Sequence, residues 1–74
     1  MLLTGKRFQL RARTLAIEVV ESKRVAIIIQ AGAIIKILSG NDQKVDVLWD
    51  SRKVEIFTFD VKMRGTEIME HALV

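Results

Sequence analysis

Four cationic side chains lie close together near the beginning of the chain and could bind phosphate groups. Residues 1–17 hold a charge of +4, whereas residues 18–74 hold eight cations and nine anions, or −1, which gives the net charge of +3. Clustered guanidinium and ammonium groups attract nucleic-acid backbones and release counterions on binding. The alternative is a solvated edge strand whose charges prevent aggregation between sheets. The four residues are Lys6, Arg7, Arg11 and Arg13.

A second cationic group follows the single tryptophan. Trp49 is close in sequence to Arg52 and Lys53, and proteins that bind single strands stack bases on an aromatic ring beside cationic groups. The alternative is that Trp49 is the largest side chain of the core.

In a regular strand, Arg7, Arg11 and Arg13 would share one face. We therefore expect any nucleic-acid binding, to DNA or RNA, to be weak and independent of base sequence, and to use the first four cations assisted by Arg52 and Lys53.

The residues needed for catalysis or metal binding are scarce. His71 is the only histidine, and the chain contains no cysteine, so neither a catalytic triad nor a histidine-rich metal site can be assembled within one chain. Glu67, Glu70 and His71 lack the first imidazole of an inverted zinc motif. We expect no catalytic residue, no metal site and no cofactor, and we expect residues 69–74 to form a frayed tail.

The composition predicts one small folded domain over residues 1–74. The chain is 50% hydrophobic and 28% charged, without proline, which argues against disorder. The absence of cysteine excludes a disulfide-stapled secreted protein. The longest apolar stretch, residues 25–38, is too short and too interrupted to span a bilayer. We expect a cytoplasmic protein that does not bind a membrane.

Apolar residues that alternate with polar ones predict an all-β chain. The clearest alternation runs over residues 44–50, and another run rich in β-branched and aromatic residues follows at 53–59, separated by Ser51 and Arg52. Glu55 lies in this second run, and we expect its carboxylate to face outward. Further runs lie at 6–10, 14–20, 24–30, 33–39 and 64–68, and residues 60–63 suit one helical turn.

Isoleucines in the middle of the chain predict self-association, with a dimer favoured. Residues 26–29 and 34–38 place apolar side chains on both faces of their strands, whereas a small barrel buries only one face. A chain this short also gains from a core shared with a second copy. The candidate residues for self-association are Ile27, Ile28, Ile29, Ile35 and Ile37.

The order of these elements resembles the small SH3-like barrel. The resemblance lies in a basic first strand, a long excursion to about residue 31, a three-strand meander, a helical turn at 60–63 and a short last strand. It implies a five- to six-stranded barrel. Recognition of proline-rich peptides is not implied, because it needs a row of aromatic side chains and this chain has one tryptophan and no tyrosine.

A four-residue segment is similar to one in the type II dihydrofolate reductases, which are also SH3-like barrels. Residues 54–57 resemble their Val-Gln-Ile-Tyr segment, with Glu55 and Phe57 at the two positions that contact ligands in that family. This resemblance implies a pore-forming enzyme as a remote alternative. The expected function is a non-catalytic protein-interaction or assembly module, and nucleic-acid binding is the first alternative.

Overall fold

The computed structural model describes residues 3–69, which form seven strands and one helix. The all-β prediction is confirmed, because every element except one short helix is a strand. Of the predicted tail only Met69 is described, and its side chain is exposed; residues 70–74 lie outside the described residues. The elements are β1 Arg7–Leu10, β2 Thr14–Val20, β3 Lys23–Ile29, β4 Ile34–Gly40, β5 Lys44–Trp49, β6 Arg52–Phe57, α1 Thr58–Arg64 and β7 Gly65–Ile68.

The strands form one antiparallel sheet in the order β3-β2-β6-β5-β4-β1-β7. The expected closed barrel of five to six strands is not observed: over residues 3–69 there are seven strands, and β3 and β7 lie at the two ends of an open sheet. The reason is that the excursion after β1 folds into a long hairpin, β2–β3. This hairpin joins the meander through one register pair, Ile17 with Glu55, and the molecule is elongated, at 45 × 24 × 22 Å.

One face of the sheet carries the core. Alternate residues of β1, β4, β5 and β6 point to this inner face, and α1 adds Val61 to it. Two threonines are also buried there, and both hydroxyls are satisfied, since Thr14 donates to the carbonyl of Ala12 at 3.0 Å and Thr58 donates to that of Asn41 at 2.7 Å. The buried apolar residues are Phe8, Leu10, Ala16, Ile29, Ile35, Ile37, Val45, Val47, Val54, Ile56 and Val61.

Two hairpins have two-residue turns whose backbone has positive φ. Glu21 and Ser22 have φ of 51° and 68°, and Asp50 and Ser51 have φ of 51° and 62°. Two consecutive positive φ values are typical of the type I′ turn, whose twist matches that of the flanking strands. The second turn therefore lies one residue earlier than the sequence indicated, and Arg52 belongs to β6, where it pairs with Trp49.

The predicted helical turn is present and longer than expected. It covers Thr58–Arg64 rather than four residues, with Asp60 in its first turn and Arg64 in its last. These charges suit the helix dipole, and the two side chains approach each other at 3.8 Å. The helix connects β6 to β7 and so leads the chain from the meander to the far end of the sheet.

Candidate interaction surfaces

One edge of the sheet is the side of β3 that does not pair with β2, and we call it the β3 edge. β3 pairs with β2 along its whole length, from Lys23 opposite Val20 to Ile29 opposite Thr14, and its other side lies at the end of the sheet. In a two-residue hairpin the pair that flanks the turn is hydrogen-bonded, and bonded pairs alternate from there. The backbone N–H and C=O groups of Arg24, Ala26 and Ile28 therefore point away from β2.

The β3 edge has few of the features that protect edge strands from pairing. Such strands are usually short, contain a bulge or a proline, or carry several charged side chains. β3 has seven residues, regular pairing with β2 and cations only at Lys23 and Arg24. Its remaining residues are apolar, and Val25 and Ile28 are 42% and 50% exposed. The edge therefore offers both unpaired backbone groups and apolar side chains.

The structure divides the five isoleucines that the sequence proposed for self-association. Ile29, Ile35 and Ile37 are completely buried, so their side chains belong to the core of one chain and cannot line its surface. Ile27 is partly buried against that core, and Ile28 is exposed. Alternation explains the difference, because Ile28 has the opposite parity to Ile27 and Ile29 on β3.

Three further apolar side chains near the β3 edge were missed by the sequence reasoning. Leu15 and Val19 of β2 are 40% and 56% exposed, and Val25 of β3 is exposed as well. Leu15 lies directly opposite Ile28, on the face of the sheet turned away from the core, which we call the outer face. The available signal was the alternation of β2, which predicts that Leu15, Ile17 and Val19 share a face opposite Thr14 and Ala16.

The N-terminal cations do not lie along one strand face as expected. β1 ends at Leu10, so the prediction that Arg7, Arg11 and Arg13 share a regular strand face is wrong. The guanidinium of Arg11 donates to the carbonyl of Met63, and the carbonyl of Arg13 accepts from Arg64 at 3.0 Å. The ammonium of Lys6 lies 3.6 Å from Glu67. Of these four residues only Arg7 belongs to β1, because Lys6 precedes the strand and Arg11 and Arg13 follow it.

The other two predicted cations lie in β6 beside acidic partners. The guanidinium of Arg52 lies 3.2 Å from the carboxylate of Glu18 and 4.6 Å from the centre of the Trp49 ring. The ammonium of Lys53 lies 4.0 Å from Asp46. Trp49 also packs against the core.

Strand pairing does place two of the predicted cations, Arg7 and Lys53, on one face of the sheet. Lys36, which the sequence did not indicate, lies on the same face between them. Arg7 lies opposite Lys36, Lys36 opposite Leu48, and Leu48 opposite Lys53. Residues directly opposite each other share a face of the sheet. We call Arg7, Lys36 and Lys53 the cationic row. Lys36 makes no ion pair within residues 3–69.

The cationic row belongs to an outer face with excess positive charge. Among residues 3–69, alternation and register place five cations on this face, namely Arg7, Arg24, Lys36, Lys44 and Lys53, and two acids, Asp46 and Glu55. Five cations minus two acids give +3 on this face. The described part of this face therefore carries a clear excess of positive charge.

Glu55 is the acidic centre of the outer face. Its carboxylate accepts a hydrogen bond from the Arg24 guanidinium at 2.7 Å and lies 3.9 Å from the Lys44 ammonium. The hydrogen bond to Arg24 lowers the pKa of Glu55 most, the positive charges of Arg24, Lys44 and Lys53 lower it further, and partial burial acts in the opposite direction. The outward orientation expected for this carboxylate fits its place on the outer face, where the side chain is 24% exposed.

Within residues 3–69, no three acidic or histidine side chains come together in a way that could hold a metal ion. The one helix in this range, α1, is too short to cross a membrane. Comparisons of the chain with protein-family models, with curated proteins and with solved structures found no match.

Proposed function

We propose that this protein is a non-catalytic protein-interaction and assembly module that binds an extended segment by adding it as a strand to the β3 edge. The observation that carries the proposal is the set of outward backbone groups of Arg24, Ala26 and Ile28 on a seven-residue end strand with exposed apolar side chains. In strand addition, backbone hydrogen bonds supply affinity, and alternate side chains supply specificity.

The side chains around the β3 edge define the chemistry of the segment that fits. On the outer face an added strand would lie against Arg24, Ala26 and Ile28, and on the inner face against Val25 and Ile27. Cross-strand pairs of β-branched residues stabilise such contacts. A segment rich in valine and isoleucine suits this edge best. An acidic residue is less suited, because the Arg24 guanidinium already pairs with Glu55.

The order of the elements supports a further part of the proposal, an SH3-like arrangement opened by the β2–β3 hairpin. β1 is followed by this hairpin, the β4–β6 meander, α1 and a short β7 beside β1. In this arrangement the hairpin supplies the binding edge and adds Ala16 and Ile29 to a core formed mainly by β1, the meander and α1. Function then depends on the open edge of the hairpin, whereas stability depends on the core that all these elements share.

A peptide-display selection tests strand addition without assuming a partner. Extended peptides rich in β-branched residues should be enriched on the immobilised protein and should shift the amide resonances of Arg24, Ala26 and Ile28. The variant Ala26→Pro removes an N–H that points away from β2, a position at which an edge strand tolerates proline, and should abolish binding. Ala26→Ser retains the N–H and serves as the matched control.

Two outcomes would contradict strand addition. One is equal peptide binding by the Ala26→Pro and Ala26→Ser proteins, provided that both show the circular dichroism of the parent. The other is a set of peptide-induced shifts that lies away from β2 and β3. Either result would mean that backbone pairing at this edge does not supply the affinity.

A second candidate function, weak nucleic-acid binding that is independent of sequence, is supported by the cationic row. Arg7, Lys36 and Lys53 lie on one face through the register of four strands, and this face has a charge of +3. About three phosphate contacts would give a log–log salt slope near −3. The surface differs from the one predicted from sequence, because Lys36 joins it and Arg11 and Arg13 follow the end of β1.

Fluorescence anisotropy with single-stranded and duplex oligonucleotides at low salt tests this second function. The triple variant with alanine at Arg7, Lys36 and Lys53 should lose at least about tenfold in affinity. A control with alanine at Arg13, Lys23 and Lys62 changes the net charge equally and leaves the cationic row intact. Equal losses of affinity in the two triple variants would mean that binding depends only on the net charge of the protein. That result would overturn the assignment of a site to the cationic row.

A further inference from the structure

We infer that the strand added to the β3 edge is β3 of a second copy, paired antiparallel about a two-fold axis at Ala26. The inference rests on the proposed function and names its partner. The two sheets would then join into one sheet of fourteen strands with β7 at both ends. A two-fold contact uses the same surface twice, so the surface must be complementary to itself.

The backbone of β3 meets this condition at Ala26. The strand runs from Lys23 to Ile29, and Ala26 is its midpoint, so pairing about this residue overlaps all seven residues. The outward groups of Arg24, Ala26 and Ile28 then face those of Ile28, Ala26 and Arg24 in the second copy. Each of these three pairs exchanges two backbone hydrogen bonds, which gives six across the axis.

The side chains fit the same register. Cations occupy only the first two positions of β3, and the two-fold axis places them opposite the last two, which are isoleucines. Arg24 lies opposite Ile28 of the second copy and Lys23 opposite Ile29, so no two cations face each other directly. A register centred on Arg24 would instead oppose like charges, which is destabilising.

The exposed apolar side chains of β3 are also covered in this register. Val25, which is 42% exposed, lies opposite Ile27 of the second copy on the inner face, and the symmetry repeats this pair. On the outer face, Ile28 meets the aliphatic stem of Arg24, which can cover apolar surface while its guanidinium remains with Glu55. Ala26 is small enough for the strands to approach closely at the axis.

Two variants at Ile28 test the register through the solution mass, measured by sedimentation equilibrium at low salt. The parent should have twice the chain mass of 8.4 kDa. Ile28→Lys places a cation opposite Arg24, and Ile28→Glu places an anion there, in two symmetric pairs each. The dimer dissociation constant of Ile28→Lys should exceed that of Ile28→Glu by at least about tenfold.

The matched control is Ile34→Lys. Ile34 is 49% exposed and Ile28 is 50% exposed, and both lie on the outer face, but Ile34 belongs to β4 inside the sheet. Ile34→Lys should leave the dimer dissociation constant within about twofold of the parent. Circular dichroism of each variant checks that it folds, and Ala26→Pro should be monomeric.

The outcomes separate this inference from the proposed function. A parent that is monomeric at hundreds of micromolar but binds selected peptides at β3 would overturn the second copy and keep strand addition. A parent that neither dimerises nor binds peptides would overturn both. A dimer with equal dissociation constants for Ile28→Lys and Ile28→Glu, or one that survives Ala26→Pro, would overturn the register and place the contact elsewhere.

Discussion

At the scale of single residues, the ion cluster around Glu55 couples stability to pH. Because the pKa of Glu55 is lowered in the folded state, its charge stabilises the fold above the pKa of the unfolded chain. That contribution is lost as the pH falls through the folded pKa. We expect Glu55→Gln to be less stable than the parent near neutral pH and to lose less stability on acidification.

Denaturant unfolding across the acidic range measures this difference, and Glu21→Gln controls for the removal of a carboxylate. Glu21 lies in the β2–β3 turn and makes no ion pair within residues 3–69. In a nuclear magnetic resonance titration, Arg24→Gln should raise the midpoint of Glu55, because Arg24 supplies the largest cause of the shift. An unchanged midpoint in Arg24→Gln would contradict this account.

Gly40 illustrates a backbone constraint at the same scale. Its φ is +154°, and a Cβ at this position would lie 2.5 Å from the carbonyl oxygen of Lys44 and 2.6 Å from the Cα of Val45. Gly40→Ala should therefore destabilise the fold by about 2 to 5 kcal/mol. Gly32→Ala is the control, because φ is +92° there but a Cβ would meet no atom within 4 Å apart from those of its chain neighbours. It should cost about 1–2 kcal/mol. Equal losses would show that β5 moves to accept the side chain.

At the scale of elements, the two residues of the β5–β6 turn are not those that its backbone conformation favours, so substitution there should stabilise the fold. Asp50 and Ser51 both have positive φ, whereas the type I′ turn prefers Asn-Gly. The double substitution Asp50→Asn with Ser51→Gly is therefore expected to raise the free energy of unfolding by about 1 kcal/mol. Thermal and denaturant unfolding measure the gain. Ser51→Ala keeps the strained backbone and should show none, so a gain as large in this variant would be contrary to the turn assignment.

The positions of the strands could be predicted from the sequence more readily than the pairing between them. Alternation located β2 at Thr14–Val20 and β5 from Lys44 onward because a half-buried strand repeats every two residues. The limit of β1 at Leu10 could not be predicted, because Arg11 and Arg13 continue its parity. In the structure the chain leaves the strand at Arg11, whose guanidinium donates to the carbonyl of Met63.

At the scale of the whole molecule, open edges and surface charge depend on pairings far apart in sequence. Local pattern does not show that β2 meets β6 through Ile17 and Glu55, so the sequence favoured a closed barrel over a sheet with two ends. For the same reason Lys36 was not predicted as a neighbour of Arg7 and Lys53. The apolar character of residues 25–29 was visible from the sequence, but its division between core and edge required the fold.

The two ends of the sheet differ in length and charge, and this difference predicts that assembly stops at two copies. The β3 edge is long and apolar, whereas β7 covers only Gly65–Ile68 and carries the Glu67 carboxylate beside Lys6. Short and charged edges resist further pairing. Once two copies join through β3, only the β7 edges remain at the ends of the joined sheet, so growth should stop.

Sedimentation velocity over a hundredfold concentration range tests this limit. We expect only two species, the chain of 8.4 kDa and its dimer, with the dimer fraction rising with concentration by mass action. Ile28→Lys should remain a monomer throughout most of the range. Species larger than the dimer that grow with concentration would show that β7, or a face of the sheet, also pairs. The protein would then form open filaments rather than a closed two-fold assembly.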